Sequence, residues 1–378
     1  MYRLSVGAII KNESTYILEW IAYHLLVGVE HFYIADNCSD DGQYQLLEAL
    51  EKLGIITLIH QGNLEKSSAQ VAAYNKIIQM SVDKSKLIAF IDGDEFIAIN
   101  DLKKFNKELD VLISDDQYGA MALNWKTFGS SGKAKYEDKL VIERFLQCGN
   151  DQYRGNWTIK TISKPTFVER QLIHHAVLKK GQYKHVSLDK ISFENGENEG
   201  PRTTDFDYSV AQVNHYVIKS KEEFVLKKMN RGCANRGKDK VKFLQYFDNH
   251  DVNDECCYLA NSLVDEVSQK VKEITNELDH LGYFSNFDFK FDRAEKNEFS
   301  GWVKYKDKME SAKLRVLIDD SEEFFFDADM HRPKLFELSG GIFGKYGFNF
   351  KLPRKALKSI VINVVGNHAP PIYIAKIN

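Results

Sequence analysis

The first hundred residues alternate short apolar runs with stretches of helical spacing. Residues 4–10 are a largely apolar run, too short for a helix, and read as a buried strand. Lys11-Asn12-Glu13-Ser14 breaks it with cap-type residues, and Ile17, Leu18, Ile21, His24 and Leu25 then recur at helical spacing up to Gly28. Residues 31–35 form a second strand that runs into a loop of turn residues, Asp36 to Gly42. Leu46, Leu47, Ala49, Leu50 and Leu53 mark a helix closed by Gly54, and residues 55–59 a third strand. A helix through Ala69, Ala72, Ala73, Ile77 and Ile78 leads to a fourth strand, residues 87–91, cut off by Asp92-Gly93-Asp94-Glu95.

Strands alternating with single helices predict right-handed crossovers and a mostly parallel α/β sheet with helices on both faces. Ligands of such sheets sit outside the carboxyl ends of the strands. Three of those ends carry polar clusters: Asn12/Glu13, Asp36/Asn37 and Asp92/Asp94. In an extended chain Asp92 and Asp94 share one side and converge, while Gly93 leaves room for a ligand. Buried paired carboxylates repel unless a cation lies between them, and oxygen ligands favour Mg or Mn over Zn. A strand ending in an acidic turn would look the same locally; the coincidence of three polar strand ends favours a site.

Further along, Ser220-Lys221-Glu222-Glu223 is a capping box, and Lys227, Lys228 and Arg231 follow on its helix before Gly232 stops it. These cations suit a diphosphate; for Lys227 and Lys228 a solvated basic face is an equal alternative. Residues 239–285 read as helices, with Cys256-Cys257 inside one. From 287 the texture changes to short strands separated by turns, the signature of a small all-β sandwich. The expected organisation is a catalytic domain at 1–238, a helical segment at 239–286 and a β-sandwich at 287–378. Its most polar loop, residues 328–333, suits glycan binding, assembly or a purely structural role, and oligomerisation through this domain stays open.

Composition narrows the class. The chain has 378 residues, 43% hydrophobic and 28% charged, with a net charge of −3, which fits a globular protein and disfavours a general nucleic-acid binder. Five cysteines without a C-x-x-C pair suggest free thiols in a reducing compartment. No apolar run reaches the roughly 18–20 residues of a membrane helix. A cytoplasmic protein is expected, with peripheral attachment at the inner face of the membrane left open. No G-x-G-x-x-G follows the first strand and no phosphate-binding G-x-x-x-x-G-K-[ST] occurs, which weakens dinucleotide and NTPase readings.

Lys11-Asn12-Glu13, Leu18-Glu19-Trp20-Ile21-Ala22-Tyr23-His24, Gly28-Val29-Glu30-His31-Phe32, Asp36-Asn37-Cys38-Ser39-Asp40-Asp41 and Phe90-Ile91-Asp92-Gly93-Asp94-Glu95-Phe96 follow in that order. So do Asn124-Trp125-Lys126-Thr127-Phe128-Gly129 and Asn214-His215-Tyr216. Over about residues 1–235 this resembles the GT-A glycosyltransferases of the family 2 and family 92 type. The resemblance implies a UDP- or GDP-linked sugar donor, a Mn or Mg ion on Asp92, Asp94 and His215, and a nucleotide pocket lined by Asn12, Glu13, Asp36 and Asn37. Lys219 and Arg231 then face the diphosphate. Trp125, Phe128 and the glycines Gly129 and Gly132 suit a sugar platform with a flexible loop, and with His175 they are expected on the acceptor side, where a glycan or lipid-linked hydroxyl would lie. Glu143, Asp205 and Asp207 are candidates for the base of an inverting reaction; Glu95, next to the metal pair, takes a supporting catalytic role. The expected setting is bacterial surface-polysaccharide assembly. Two other classes compete: a sugar-nucleotide nucleotidyltransferase, disfavoured by the missing glycine-rich loop, and a non-catalytic carbohydrate-binding protein on the same scaffold.

Overall fold

A computed structural model describes residues 1–39, 41–60, 69–229, 232–233, 237–241, 243–281, 287–295, 297–305, 310–319, 321–338, 344–352, 359–364 and 373–376. Contacts divide the chain into two units, residues 1–39 with 54–274 and residues 40–53 with 275–378.

The first unit opens as the periodicity predicts: β1 (Tyr2–Ile10), α1 (Ile17–Leu26), β2 (His31–Asp36), β3 (Ile56–His60), α3 (Ala69–Ser81) and β4 (Ser85–Phe90), with α2 (Gln43–Lys52) assigned to the other unit. β1 pairs in parallel with both β2 and β4, and β2 with β3, giving the order β3-β2-β1-β4. That is the Rossmann-type order in which the crevice between β1 and β4 is the topological switch point. α3 packs Ala73, Tyr74, Ile77 and Ile78 against Tyr33, Ile88 and Phe90 of the sheet. α1 is almost wholly buried, and its Trp20 indole donates to the Glu95 carbonyl (2.8 Å).

Past β4 the simple alternation stops. β5 (Glu95–Ile99), α4 (Leu102–Ser114), β6 (Tyr118–Thr127), α5 (Val141–Arg144), β7 (Gln147–Cys148), β8 (Ile159–Ser163), β9 (Val168–Gln171), β10 (Ala176–Leu178), β11 (Gln182–His185) and β12 (Ala211–His215) follow. β8 inserts antiparallel between β4 and β6, and β12 lies between β6 and β5, so the sheet continues β4-β8-β6-β12-β5 with β11 also on β6. The capping box at Ser220 forms as expected and starts α6 (Lys221–Glu223). The helix continues as a π-helical turn, Phe224–Lys228, in which Met229 N–H reaches the Phe224 carbonyl (2.8 Å). β13 (Gly232–Cys233) and β14 (Gly237–Val241) pair antiparallel, then come α7 (Leu244–His250), β15 (Glu255–Cys256) and α8 (Val264–His280). The expected helix around Cys256-Cys257 is corrected: Cys256 sits in β15, paired with β7, and Cys257 N–H bonds the Leu146 carbonyl (2.8 Å). Two apolar-looking cysteines carried no period, and backbone pairing with a distant strand decided the conformation. Among the described residues no helix is long and apolar enough to cross a membrane.

In the second unit two four-stranded antiparallel sheets share one core. β16 (Phe287–Glu295), β17 (Glu298–Tyr305), β18 (Ala312–Ile318), β19 (Glu322–Ala328), β20 (Met330–His331), α9 (Pro333–Leu338), β21 (Lys345–Lys351), β22 (Ser359–Val364) and β23 (Tyr373–Lys376) order as β16-β17-β21-β20 and β19-β18-β22-β23. Alternate residues of β17 and β18 are buried, and the Phe326 and Phe350 rings stack across the sheets with centroids 4.0 Å apart. The polar loop at 328–333 is tied into its sheet: Met330 and His331 pair with β21, and Arg332 bonds the Gly301 carbonyl (2.5 Å) and Asp292 (2.9 Å).

Candidate active site

The sheet order brings β1 and β4 side by side, so the residues that follow them meet. Asp92-Gly93-Asp94 is not the extended segment the pattern suggested. It is a turn closed by Glu95 N–H on the Asp92 carbonyl (3.1 Å). Gly93 is packed closely, since a Cβ there would lie 2.9 Å from Ile10 Cγ2 and 3.5 Å from Glu13 Cγ. The turn gives the two aspartates different neighbours.

Asp92 is held by three donors. Lys160 of β8 reaches its Oδ2 at 2.8 Å, and Gln70 and Tyr74 of α3 donate to its Oδ1 at 2.9 and 3.0 Å. Lys160 is 1% exposed and also lies 3.2 Å from Glu95. Burial alone would raise the pKa of Asp92, but Lys160 outweighs it and keeps the carboxyl below its ordinary value. Glu95 is fully buried; burial pushes it up to about 8 against the pull of Lys160, which Asp92 already occupies. Glu95 accepts the Asp92 N–H (2.9 Å) and so positions the turn.

Asp94 is held differently. Lys228, from the π-helical turn, donates to its Oδ2 and to the Val217 carbonyl. His215 Nε2 lies 3.7 Å from Asp94 Oδ1, brought there by the pairing of β12 with β5, in which His215 stands opposite Glu95. Tyr216 N–H fixes the Asp94 carbonyl (2.9 Å). Burial would raise the Asp94 pKa, but Lys228 above all, with Lys219, overcomes it and holds the carboxyl well below the usual range. Burial lowers His215 to about 3, so its imidazole is neutral, and its Nδ1 has no partner among the described residues. The Trp125 ring lies 4.1 Å from that imidazole and 5.2 Å from His174, whose Nδ1, like Trp125 Nε1, is buried and unpartnered among the described residues.

Around this corner the backbone is strained. Asn12, Cys38 and Lys219 adopt left-handed φ of 55°, 53° and 56°, unusual for residues with a Cβ and characteristic of functional loops. Asn12 N–H and the Asp36 carboxylate are joined through Ser39, at 3.0 and 2.9 Å, and Asn37 N–H bonds the Ile10 carbonyl (2.9 Å). Lys219 lies 3.8 Å from Glu13 and over the Tyr16 ring (4.2 Å). The result, at the switch point, is one carboxylate beside a neutral imidazole with two lysines near it.

A family model for glycosyltransferase family 92 matches residues 6–231, more than half of the chain. The chain belongs to glycosyltransferase family 92. A family 92 protein of Oryza sativa subsp. japonica is 26% identical over 190 residues, 50% of this chain and 31% of that one. One of Arabidopsis thaliana is 25% identical over 239 residues, 60% of this chain and 37% of that one. The chain thus spans about a third of the length of these curated relatives. Among solved structures, S. aureus TarS 1–349, also crystallised in complex with UDP, is 15% identical over 44% of this chain and 48% of that one, with a TM-score of 0.29, too low to build on.

Other expected residues of this family 92 chain have partners or packing of their own. Phe128 is fully buried with its ring on Tyr216 (4.6 Å), so it backs the wall instead of forming a platform. Gly129 is packed tightly, since a Cβ would come within 2.4 Å of the Val252 carbonyl oxygen and Asn253 Oδ1; the flexible glycine loop is corrected to a clamped one. Glu143 pairs with Lys139 (2.7 Å) on α5 and its approach. Asp205 bonds Thr204 (3.1 Å) and Asp207 caps the Ser209 N–H (2.5 Å). His175 is half-buried beside His174, and burial lowers its pKa. Arg231 lies outside the described residues. Sequence reasoning missed Lys160, Gln70 and Tyr74, and gave Lys228 no role of its own.

Proposed function

We propose that this family 92 chain transfers a sugar from a nucleotide-sugar donor to a hydroxyl of a glycan or lipid-linked glycan, with a divalent cation and inversion of configuration. The observation that carries this reading is the convergence of Asp94, His215, Lys219 and Lys228 at the β1/β4 switch point, where ligands of open α/β sheets bind. Asp94 is ionised and His215 neutral with its Nε2 3.7 Å from Asp94 Oδ1, a donor pair that fits Mn or Mg completed by phosphate oxygens and water. In this reading Asp92 stands behind the cation, since its oxygens accept from Gln70, Tyr74 and the buried Lys160. Among the described residues no group of three such ligands converges. When bound, the cation would offset charge developing on the leaving diphosphate.

Lys219 and Lys228 add positive charge on the same side, and Asn12, Glu13 and Asp36 line the way to the nucleoside. Trp125, its ring 4.1 Å from His215 and 5.2 Å from His174, is the residue to wall the site on the sugar's side. The setting in surface-polysaccharide assembly comes from the resemblance alone. The test is a binding screen of UDP- and GDP-sugars with Mn present, followed by NMR of the product anomer. Binding of one sugar class, abolished by excess chelator, with an inverted product is expected. Undiminished transfer in chelator would remove the cation, and no donor bound would remove the transferase reading.

A further inference from the structure

Each aspartate of the turn already has a cation, and the two cations are mounted differently. Lys160 grows from the middle of the sheet, is 1% exposed and is shared by Asp92, Glu95 and the Ile173 carbonyl. Its departure would strand two buried carboxyl groups. Lys228 is 12% exposed, stands at the end of a π-helical turn and serves one carboxylate and one carbonyl. π-Helical turns are rare and occur often where a helix must aim a side chain at a functional site. In the same turn Leu226 is 77% exposed, so the turn is not packed on all sides.

A divalent ion on Asp94 would sit against the Lys228 ammonium, and two positive charges at that separation repel strongly in a site screened from water. A diphosphate changes the balance, because it offers the ammonium a denser anion than the carboxylate it leaves. We propose that Lys228 is the resident counter-ion of Asp94, displaced onto the incoming diphosphate when the divalent cation takes the carboxylate, so that cation and nucleotide bind as one coupled event. The inference rests on the reading of Asp94 and His215 as cation ligands. It makes Lys228 a positioning residue that keeps the buried carboxylate neutralised between turnovers and makes the cation wait for the nucleotide.

The experiment is Mn titration of the full chain by electron paramagnetic resonance, alone and with UDP or GDP, in wild type and Lys228→Met. In wild type the nucleotide should tighten Mn binding by about 30-fold or more, within the usual range of coupling between sites. In Lys228→Met, Mn alone should bind about tenfold tighter than in wild type, and the added effect of nucleotide should shrink to about threefold or less. Lys228→Gln, which keeps a hydrogen-bond donor without the charge, should behave like Lys228→Met and serves if the methionine variant does not fold. Mn affinity in both variants equal to or weaker than wild type, while wild type still binds Mn with nucleotide, would overturn the displacement alone. If wild type binds no Mn with either nucleotide, the cation reading falls, and this inference with it.

Discussion

Asp92 and Asp94 stand two residues apart in one turn, yet they are held by neighbours of different kinds. Asp92 takes hydrogen bonds from a central strand and from α3, elements that cannot move without disturbing the sheet. Asp94 faces a neutral imidazole and a lysine from an irregular helix end. A short acidic motif therefore does not say which carboxylate is exchangeable. What decides it is whether the counter-ion is built into the core or mounted where it can leave.

The largest expected effect separates the two directly. Asp94→Asn should lower transfer by about 10²–10³-fold and remove Mn binding while leaving the fold intact, since it deletes charge stabilisation at the reacting centre. Asp92→Asn should act first on stability, because an amide nitrogen would confront Lys160 or the Gln70/Tyr74 donors. Chemical denaturation and Mn titration of both variants read the contrast; an Asp92→Asn protein of unchanged stability that has lost Mn and nucleotide would dissolve it. Lys160→Met comes next. Removing one partner of a buried ion pair leaves the Asp92 charge uncompensated, at a cost of about 3–5 kcal/mol in the denaturation midpoint analysis. A loss below about 1 kcal/mol would mean that Lys160 is no more built in than an exposed ion pair.

Glu19 sharpens the comparison as a buried carboxylate without a lysine in contact. It accepts the N–H groups of Val141 and Ile142 at 2.8 and 3.0 Å, and burial raises its pKa from 4.5 to about 7. The folded state then holds a proton that the unfolded state has already released. Its contribution to stability therefore falls as pH rises from about 4.5 to about 7. The stability of wild type relative to Glu19→Gln should decline across that window; a difference constant with pH would show that the local N–H groups already neutralise the charge.

Much of this was legible in the sequence for a physical reason. Parallel strands buried on both faces read as apolar runs, and their polar ends mark the crevice, so β1 to β4 and the clusters at Asn12, Asp36 and Asp92 stand out. The capping box at Ser220 is a local signal and formed where expected. In the β-sandwich, alternation exposed most strands but not β19, where Phe324, Phe325 and Phe326 in succession hide the period and Phe325 faces outward. The counter-ions were not legible. Lys160 lies 68 residues from Asp92, in an Ile-Lys-Thr-Ile-Ser strand whose five residues are all buried, and nothing local says that its ammonium ends at a distant carboxylate. Phe128 looked like a platform because an aromatic beside glycines suits both a wall and a surface, and only burial tells them apart.

The smallest effect tests how firmly Asp92 is over-determined. Tyr74 donates to Asp92 Oδ1 at 3.0 Å and accepts from Gln70 Nε2 at 3.0 Å, while its ring packs 4.7 Å from Phe90. In Tyr74→Phe the ring stays, Gln70 still reaches Asp92 at 2.9 Å, and Lys160 still holds the other oxygen. No group is left without a partner, so the stability loss should be about 1 kcal/mol or less, the net value of one hydrogen bond. Transfer should fall by no more than about threefold, since the carboxylate keeps its place and its charge. A drop beyond about tenfold at near-native stability would mean that small shifts of Asp92 are felt at the reacting sugar, and the division between a structural and a chemical aspartate would have to give way to a pair acting together.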